Sequence, residues 1–155
     1  MHNDFNVAPL DTRAKLLTLC VVALLAVVGR ENPLALLILM GLIVLATAVF
    51  GIRGYRVTGD EIQVRHYGWS QRWALRDMVD ATMRPGVVAG SMRTFGIGGF
   101  FGYVGRFRNG MLGNYHAYLT DSSRAVVLRF VNDTLVVSPA DPLAFVSQVY
   151  RSRIP

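Results

Sequence analysis

The spacing of apolar positions changes character near residue 53, and the two halves of the chain predict different structures. Ahead of that point lie two uncharged runs, LLTLCVVALLAVVG at 16–29 between Lys15 and Arg30, and LALLILMGLIVLATAVFGI at 34–52. Fourteen helical residues rise only about 21 Å, against a hydrocarbon core of roughly 30 Å that takes about 20 residues to cross. The second run is long enough on this count, and it changes the reading of the first. The intervening RENP at 30–33 reads as a tight polar turn, with Pro33 suited to the first position of a helix. Together the runs predict a two-helix transmembrane hairpin over 13–52, the first helix lengthened by Ala14 and by the snorkelling stems of Lys15 and Arg30. Residues 1–12, MHNDFNVAPLDT, read as a tail with no assigned structure.

From residue 53 the period becomes that of strands. YRVTGDEIQVRHYG predicts a strand at 54–58, a turn at Gly59-Asp60, and a strand at 61–67 that places Ile62, Val64 and His66 on one face. SQRWALRD continues with Trp73 and Leu75 on one side, and VDATMRP at 79–85 makes a fourth strand ended by Pro85. HAYLT (116–120), AVVLRF (125–130) and TLVVS (134–138) follow, separated by turn clusters. The last element is a helix in which Asp141 is the N-cap and Pro142 the first residue, with Leu143, Val146, Val149 and Tyr150 on one stripe. The predicted fold is therefore an N-terminal transmembrane α-helical hairpin plus a mainly β barrel of about seven antiparallel strands, capped by a C-terminal α-helix, over 53–155.

Charge orients this picture. The formal net charge is +6, and Lys15 is the only lysine, so arginine carries the excess. Arg13 and Lys15 precede the hairpin and Arg53, Arg56 and Arg65 follow it, while Arg30 in the turn is offset by Glu31. The positive-inside rule then predicts a multi-pass protein of the cell membrane, with both termini and the β domain cytoplasmic. Tyr55 suits an interfacial aromatic at the end of the second span. The arginines are spread rather than clustered, and no helix-turn-helix, zinc-finger or RNP pattern occurs, so a lipid bilayer is the expected basic-surface partner and nucleic acid is not. Cys20 is the only cysteine, which excludes a disulfide within the chain and a cysteine-based zinc site.

The unusual stretch is RTFGIGGFFGYVGRF at 93–107, followed by LGNYHAYLT at 112–120 and by SPADP ahead of the last helix. In this order the segments resemble the bacterial pleckstrin-homology-like (PH-like) domain family, over about residues 53–150. The resemblance implies a PH-like barrel with a C-terminal helix, often carried on transmembrane helices and in some members assembled into rings. It implies no catalytic motif, and the lipid-binding basic cluster of eukaryotic PH domains has no counterpart here.

The glycine-aromatic segment 93–115 is not a phosphate loop. A P-loop ends in GK followed by Ser or Thr, and the only lysine lies elsewhere; a dinucleotide fingerprint needs glycine where Phe101 follows Gly96 and Gly98. Three readings stay open. In the first, Gly96, Gly98, Gly99, Gly102 and Gly105 allow bends while Phe95, Phe100, Phe101 and Phe107 fill the core. In the second, the aromatics together with Arg93, Arg106 and Arg108 rest on a lipid interface. In the third, Phe100 or Phe101 faces another copy. The candidate membrane or partner surface is thus Arg93, Phe95, Phe100, Phe101, Tyr103, Arg106, Phe107 and Arg108.

Catalytic constellations are absent from the sequence pattern. His66 and His116 stand apart on separate strands, Asp121, Ser122 and Ser123 are turn residues, and the carboxylate pairs Asp60/Glu61 and Asp77/Asp80 sit in turns. Trp73 is expected in the core and Trp69 at its rim. No metal or cofactor is expected. The function these readings predict is a non-enzymatic, membrane-anchored interaction module that binds a protein partner, its own copies as a homo-oligomer, or anionic lipid. The alternative is a membrane enzyme subunit or transport accessory with an apolar-lipid pocket formed by 95–115.

Overall fold

A computed structural model describes residues 3–9, 12–98 and 102–153. Along the chain run β1 (Asn3–Phe5), α1 (Thr12–Glu31), α2 (Pro33–Phe50), β2 (Ile52–Val57), β3 (Glu61–His66), β4 (Ser70–Ala74), β5 (Met78–Met83), β6 (Met92–Gly98), β7 (Tyr103–Asn109), β8 (Gly113–Leu119), β9 (Val126–Phe130), β10 (Thr134–Val137) and α3 (Pro142–Arg153). The strands form two sheets, one in the order β1-β2-β3-β4 and one in the order β5-β9-β10-β8-β7-β6. Sequence alternation missed three of these strands. It also missed that β10 and β8 run parallel, with Leu135 opposite His116, whereas the other pairings are antiparallel.

Both helix starts in the apolar and C-terminal segments follow from their first residues. The Asn32 side-chain oxygen accepts from Ala35 N at 3.1 Å ahead of Pro33, and the Asp141 carboxylate accepts from Ala144 N at 3.0 Å ahead of Pro142.

No helix among the described residues is long and apolar enough to cross a membrane, which overturns the expected transmembrane hairpin and the multi-pass inner-membrane placement built on it. The boundaries show why. Helix α1 has 20 residues but includes Arg13, Lys15, Arg30 and Glu31, so its charge-free part is the short run already noted. Helix α2 stops after 18 residues, a rise of about 27 Å, because Ile52 at the end of the apolar run is taken into β2 and pairs with His66.

The N-terminal residues are tied to the domain rather than trailing from it. β1 pairs antiparallel with β2, Asn3 opposite Val57 and Phe5 opposite Tyr55. Arg56 donates to both carboxylate oxygens of Asp4, at 2.6 and 3.0 Å. Further on, Ala8 N donates to Ser138 O at 2.9 Å and Thr120 Oγ1 to Ala8 O at 2.6 Å. The helical hairpin is therefore an insertion in the chain between two neighbouring strands of one sheet.

The main core fills the space between the sheets and α3, with Val57, Ile62, Val64, Leu75, Leu128 and Phe145 fully or almost fully buried. A second cluster lies on the other face of the larger sheet, where Val87 and Val88 cover Phe107, Tyr115, Leu119 and Val127. Tyr55 belongs to the first core, at 1 % exposure, not to an interface as its position after α2 suggested. Its hydroxyl donates to Tyr118 O at 2.6 Å and accepts from Ser138 N at 3.2 Å. Burial pushes its pKa up from 10.0 to about 12, the bonds from Ser138 opposing the shift. The sign follows from proton counting: between those two values the unfolded chain has lost a proton that the folded chain keeps, so stability is intact below pH 10 and falls as pH rises toward 12. Alkaline unfolding of the wild type should show this loss, on the order of 2–3 kcal/mol, and Tyr55→Phe should remove that part of the pH dependence. Superimposable alkaline profiles would disprove the assignment.

Candidate functional site

The smaller sheet ends at β4, a strand with a neighbour on one side only. Its inward side chains follow the alternation: Trp73 packs against the core beside Phe130 (ring centroids 5.3 Å) and His116 (5.1 Å), as its spacing predicted. Trp69 sits at the rim, 38 % exposed, its ring stacked on His66 at 3.9 Å and 9°. His66 itself is buried at the end of β3, on the face predicted with Ile62 and Val64.

Beside β4 the larger sheet extends past the smaller one and forms the floor of an open cleft. Three depressions meet there, and Arg106 and His116, opposite one another on β7 and β8, line all of them. One, of about 530 Å³, is walled by Trp69, Phe95, Val104 and Tyr118. A second, of about 580 Å³, runs under Arg72 and Trp73 toward Phe130, Asn132 and Asp133. The third, of about 360 Å³, adds Thr94 and Asn114. One mainly apolar depression and two more polar ones thus share a single floor.

His116 lies 3.8 Å from the Asp133 carboxylate. Its pKa is nonetheless lowered, by desolvation first and then by the positive charge of Arg106, with Asp133 opposing both. The imidazole is therefore neutral at neutral pH. Arg106 makes no salt bridge among the described residues. The guanidinium therefore stands in the cleft without a direct ion-pair contact, sharing it with the Asp133 carboxylate, and can turn to a carboxylate of an occupant.

The glycine-aromatic segment supplies one wall through the β6–β7 hairpin, an element that its missing alternation concealed. Gly96 pairs with Gly105 across the two strands, at φ of 110° and 133°. Phe95 on this hairpin is 76 % exposed and does not fill the core, one of the three readings left open for it, whereas Phe107 is buried and Tyr103 packs on it at 5.5 Å. Arg93, Arg106 and Arg108 are exposed. Phe100 and Phe101 lie outside the described residues. Of the eight residues proposed as a surface, the cleft brings together Phe95, Arg106 and, at the floor of its third depression, the buried Phe107. The residues that sequence reasoning overlooked there are Gln71, Tyr118, Asn132 and Asp133; each sits on an ordinary strand or turn, and only the meeting of two sheets gives them a common position.

The polar groups considered for chemistry are occupied structurally. The Asp121 carboxylate accepts from Ser123 N and Oγ at 2.9 and 2.7 Å. Asp80 accepts from Thr82 Oγ1 at 2.6 Å and Tyr150 Oη at 3.0 Å, and these bonds, the first above all, lower its pKa. No group of three or more metal-ligating side chains occurs among the described residues.

Comparison with curated proteins yields no match, and comparison with solved structures yields none. Residues 53–153 match the family model described as bacterial PH domain. That match spans the β2-to-α3 portion whose two sheets and closing helix have just been described, and the chain belongs to the bacterial PH domain family.

Proposed function

We propose that the protein is a non-enzymatic interaction module that self-associates through its helical hairpin and offers the cleft beside β4 to a protein partner. The observation that carries the reading is the apolar surface of the hairpin. Leu19 is 66 %, Leu34 66 % and Leu37 70 % exposed, and Val22, Leu24, Ile38, Leu42 and Leu45 add to the same uncovered surface. A helix apolar on every side, as α2 is, belongs inside an assembly, and a contiguous apolar patch beyond a few hundred Å² marks an interaction surface. A second hairpin packed on the first gives four helices around one apolar core, a self-complementary solution that needs no other partner.

The non-enzymatic reading rests on the cleft's chemistry. No serine, cysteine or lysine lines its three depressions, and its one aliphatic hydroxyl, Thr94 Oγ1, is engaged with Arg106 O at 3.0 Å. The bacterial PH domain family supports binding rather than turnover.

Light scattering on the full chain, compared with a Leu19→Glu/Leu37→Glu variant, tests the association. The wild type should be a dimer or larger and the variant should shift toward monomer. A wild type that stays monomeric, or that floats with phosphatidylcholine vesicles as a monomer, would refute self-association and assign the apolar surface to lipid.

A further inference from the structure

The cleft also has a direction and a hydrogen-bonding pattern, and these narrow its occupant. Just before β4, Trp69 O accepts from His66 N at 2.9 Å, and just past its end Leu75 N donates to Asp60 O at 2.8 Å. Antiparallel pairing alternates residue by residue, so Trp69, Gln71 and Trp73 turn their backbone groups toward β3. Ser70, Arg72 and Ala74 turn theirs away from it, and no described strand receives them. An unpaired row of this kind is a template for another strand, and proteins that do not use it blunt it by a bulge, a proline or a cover. β4 carries neither a bulge nor a proline: its register with β3 is continuous over five pairs, and its one charged residue is the exposed Arg72.

We propose that this edge binds an extended segment of a partner protein as an added strand of the smaller sheet, a deepening that rests on the interaction-module reading. A strand joined to β4 lies about 4.8 Å beyond it, above the floor formed by Arg106 and His116. Its side chains alternate, so every second one points into the cleft at a spacing of about 7 Å. One enters the depression of Trp69, Phe95 and Tyr118, which suits an aliphatic or aromatic residue. The next lies over Arg106, whose guanidinium makes no salt bridge among the described residues and favours a carboxylate. The recognised segment is therefore extended and carries an acidic residue two positions from an apolar one. Backbone bonds to Ser70, Arg72 and Ala74 hold it, and the two sub-sites select its sequence.

The test uses the full chain immobilised against a phage-displayed library of random short peptides, with the selected peptides then synthesised. Enriched sequences should show the apolar-x-acidic spacing, and binding should slow amide exchange at Arg72 and Ala74 by about tenfold or more. Arg72→Pro, which removes an outward donor at a place where an edge strand tolerates proline, should weaken binding by roughly tenfold or more. Arg106→Glu should leave the fold intact and shift selection from acidic to basic residues. Absence of enrichment, binders indifferent to both variants, or protection confined to other strands would overturn the proposal. So would loss of self-association in Arg72→Pro without peptide selection, which assigns the edge to a second copy. Light scattering on the hairpin variant is read independently of peptide binding, so failure of either reading is recognised separately.

Discussion

Phe145→Ala is expected to lower the stability of the domain by about 3–5 kcal/mol, a large part of the roughly 5–15 kcal/mol available to a chain of this class. Phe145 lies in the first turns of α3, is fully buried, and meets Phe5 edge-on at 5.2 Å and Tyr55 at 6.0 Å. Its ring therefore joins three elements far apart in sequence: the N-terminal strand, the first strand after the hairpin, and the closing helix. Alanine leaves a cavity that helix and sheet cannot close together, because α3 is anchored separately by its Asp141 cap and by Tyr150, whose hydroxyl accepts from Ala81 N at 3.0 Å. Phe145→Leu, which keeps most of the volume, should cost under about 1.5 kcal/mol. Urea unfolding followed by circular dichroism distinguishes these, and equal midpoints for the alanine and wild-type chains would show that the three elements do not share this core.

The C-terminal part of this core was legible in the sequence and the N-terminal part was not, for a physical reason. Asp141-Pro142 and the apolar stripe after it are local signals, as are the alternating positions of β3 and β4, since the chain itself enforces their periods of 3.6 and 2. β1 is three residues, NDF, too short for any period. Only its pairing with β2 and the Asp4–Arg56 contact show it to be a strand. The same limit applies to the cleft. Gln71, Tyr118, Asn132 and Asp133 are unremarkable on their own strands and turns, and their meeting with Arg106 and His116 depends on two sheets coming together beside β4. The hairpin helices were found nearly in place, while the membrane crossing predicted for the second depended on two residues at its boundary. Gly51 and Ile52, counted with the apolar run, leave the helix, and Ile52 enters β2. Hydropathy measures composition along the run and cannot see that a neighbouring strand claims its end.

In the β6–β7 hairpin, glycine removes the periodicity and is also what allows the structure, so Gly96→Ala should produce the second large effect. Gly96 and Gly105 face each other with φ of 110° and 133°, in the region that side-chain-bearing residues rarely adopt. A Cβ on Gly96 would lie against the Val104 carbonyl oxygen and 2.8 Å from Gly105 Cα; one on Gly105 would lie equally against the Phe95 carbonyl and Gly96 Cα. These obstacles are backbone, so no rotamer relieves them. The strain of positive φ alone is about 1–2 kcal/mol, and with the clash the expected cost is on the order of 2–4 kcal/mol. Because β6 is the outer strand of its sheet, the loss should appear as faster amide exchange across β6 and β7, with β9 and β10 retaining their protection. Gly110→Ala is the matched control, since a Cβ there meets nothing within 4 Å and its φ is not in the positive region. The consequence reaches the cleft, because Phe95 and Gly96 form one wall of its apolar depression. Gly96→Ala should therefore weaken selected peptides through their apolar residue while Arg106 continues to discriminate acidic from basic ones. If Gly96→Ala and Gly110→Ala exchange alike, the facing glycines are not what shapes this wall.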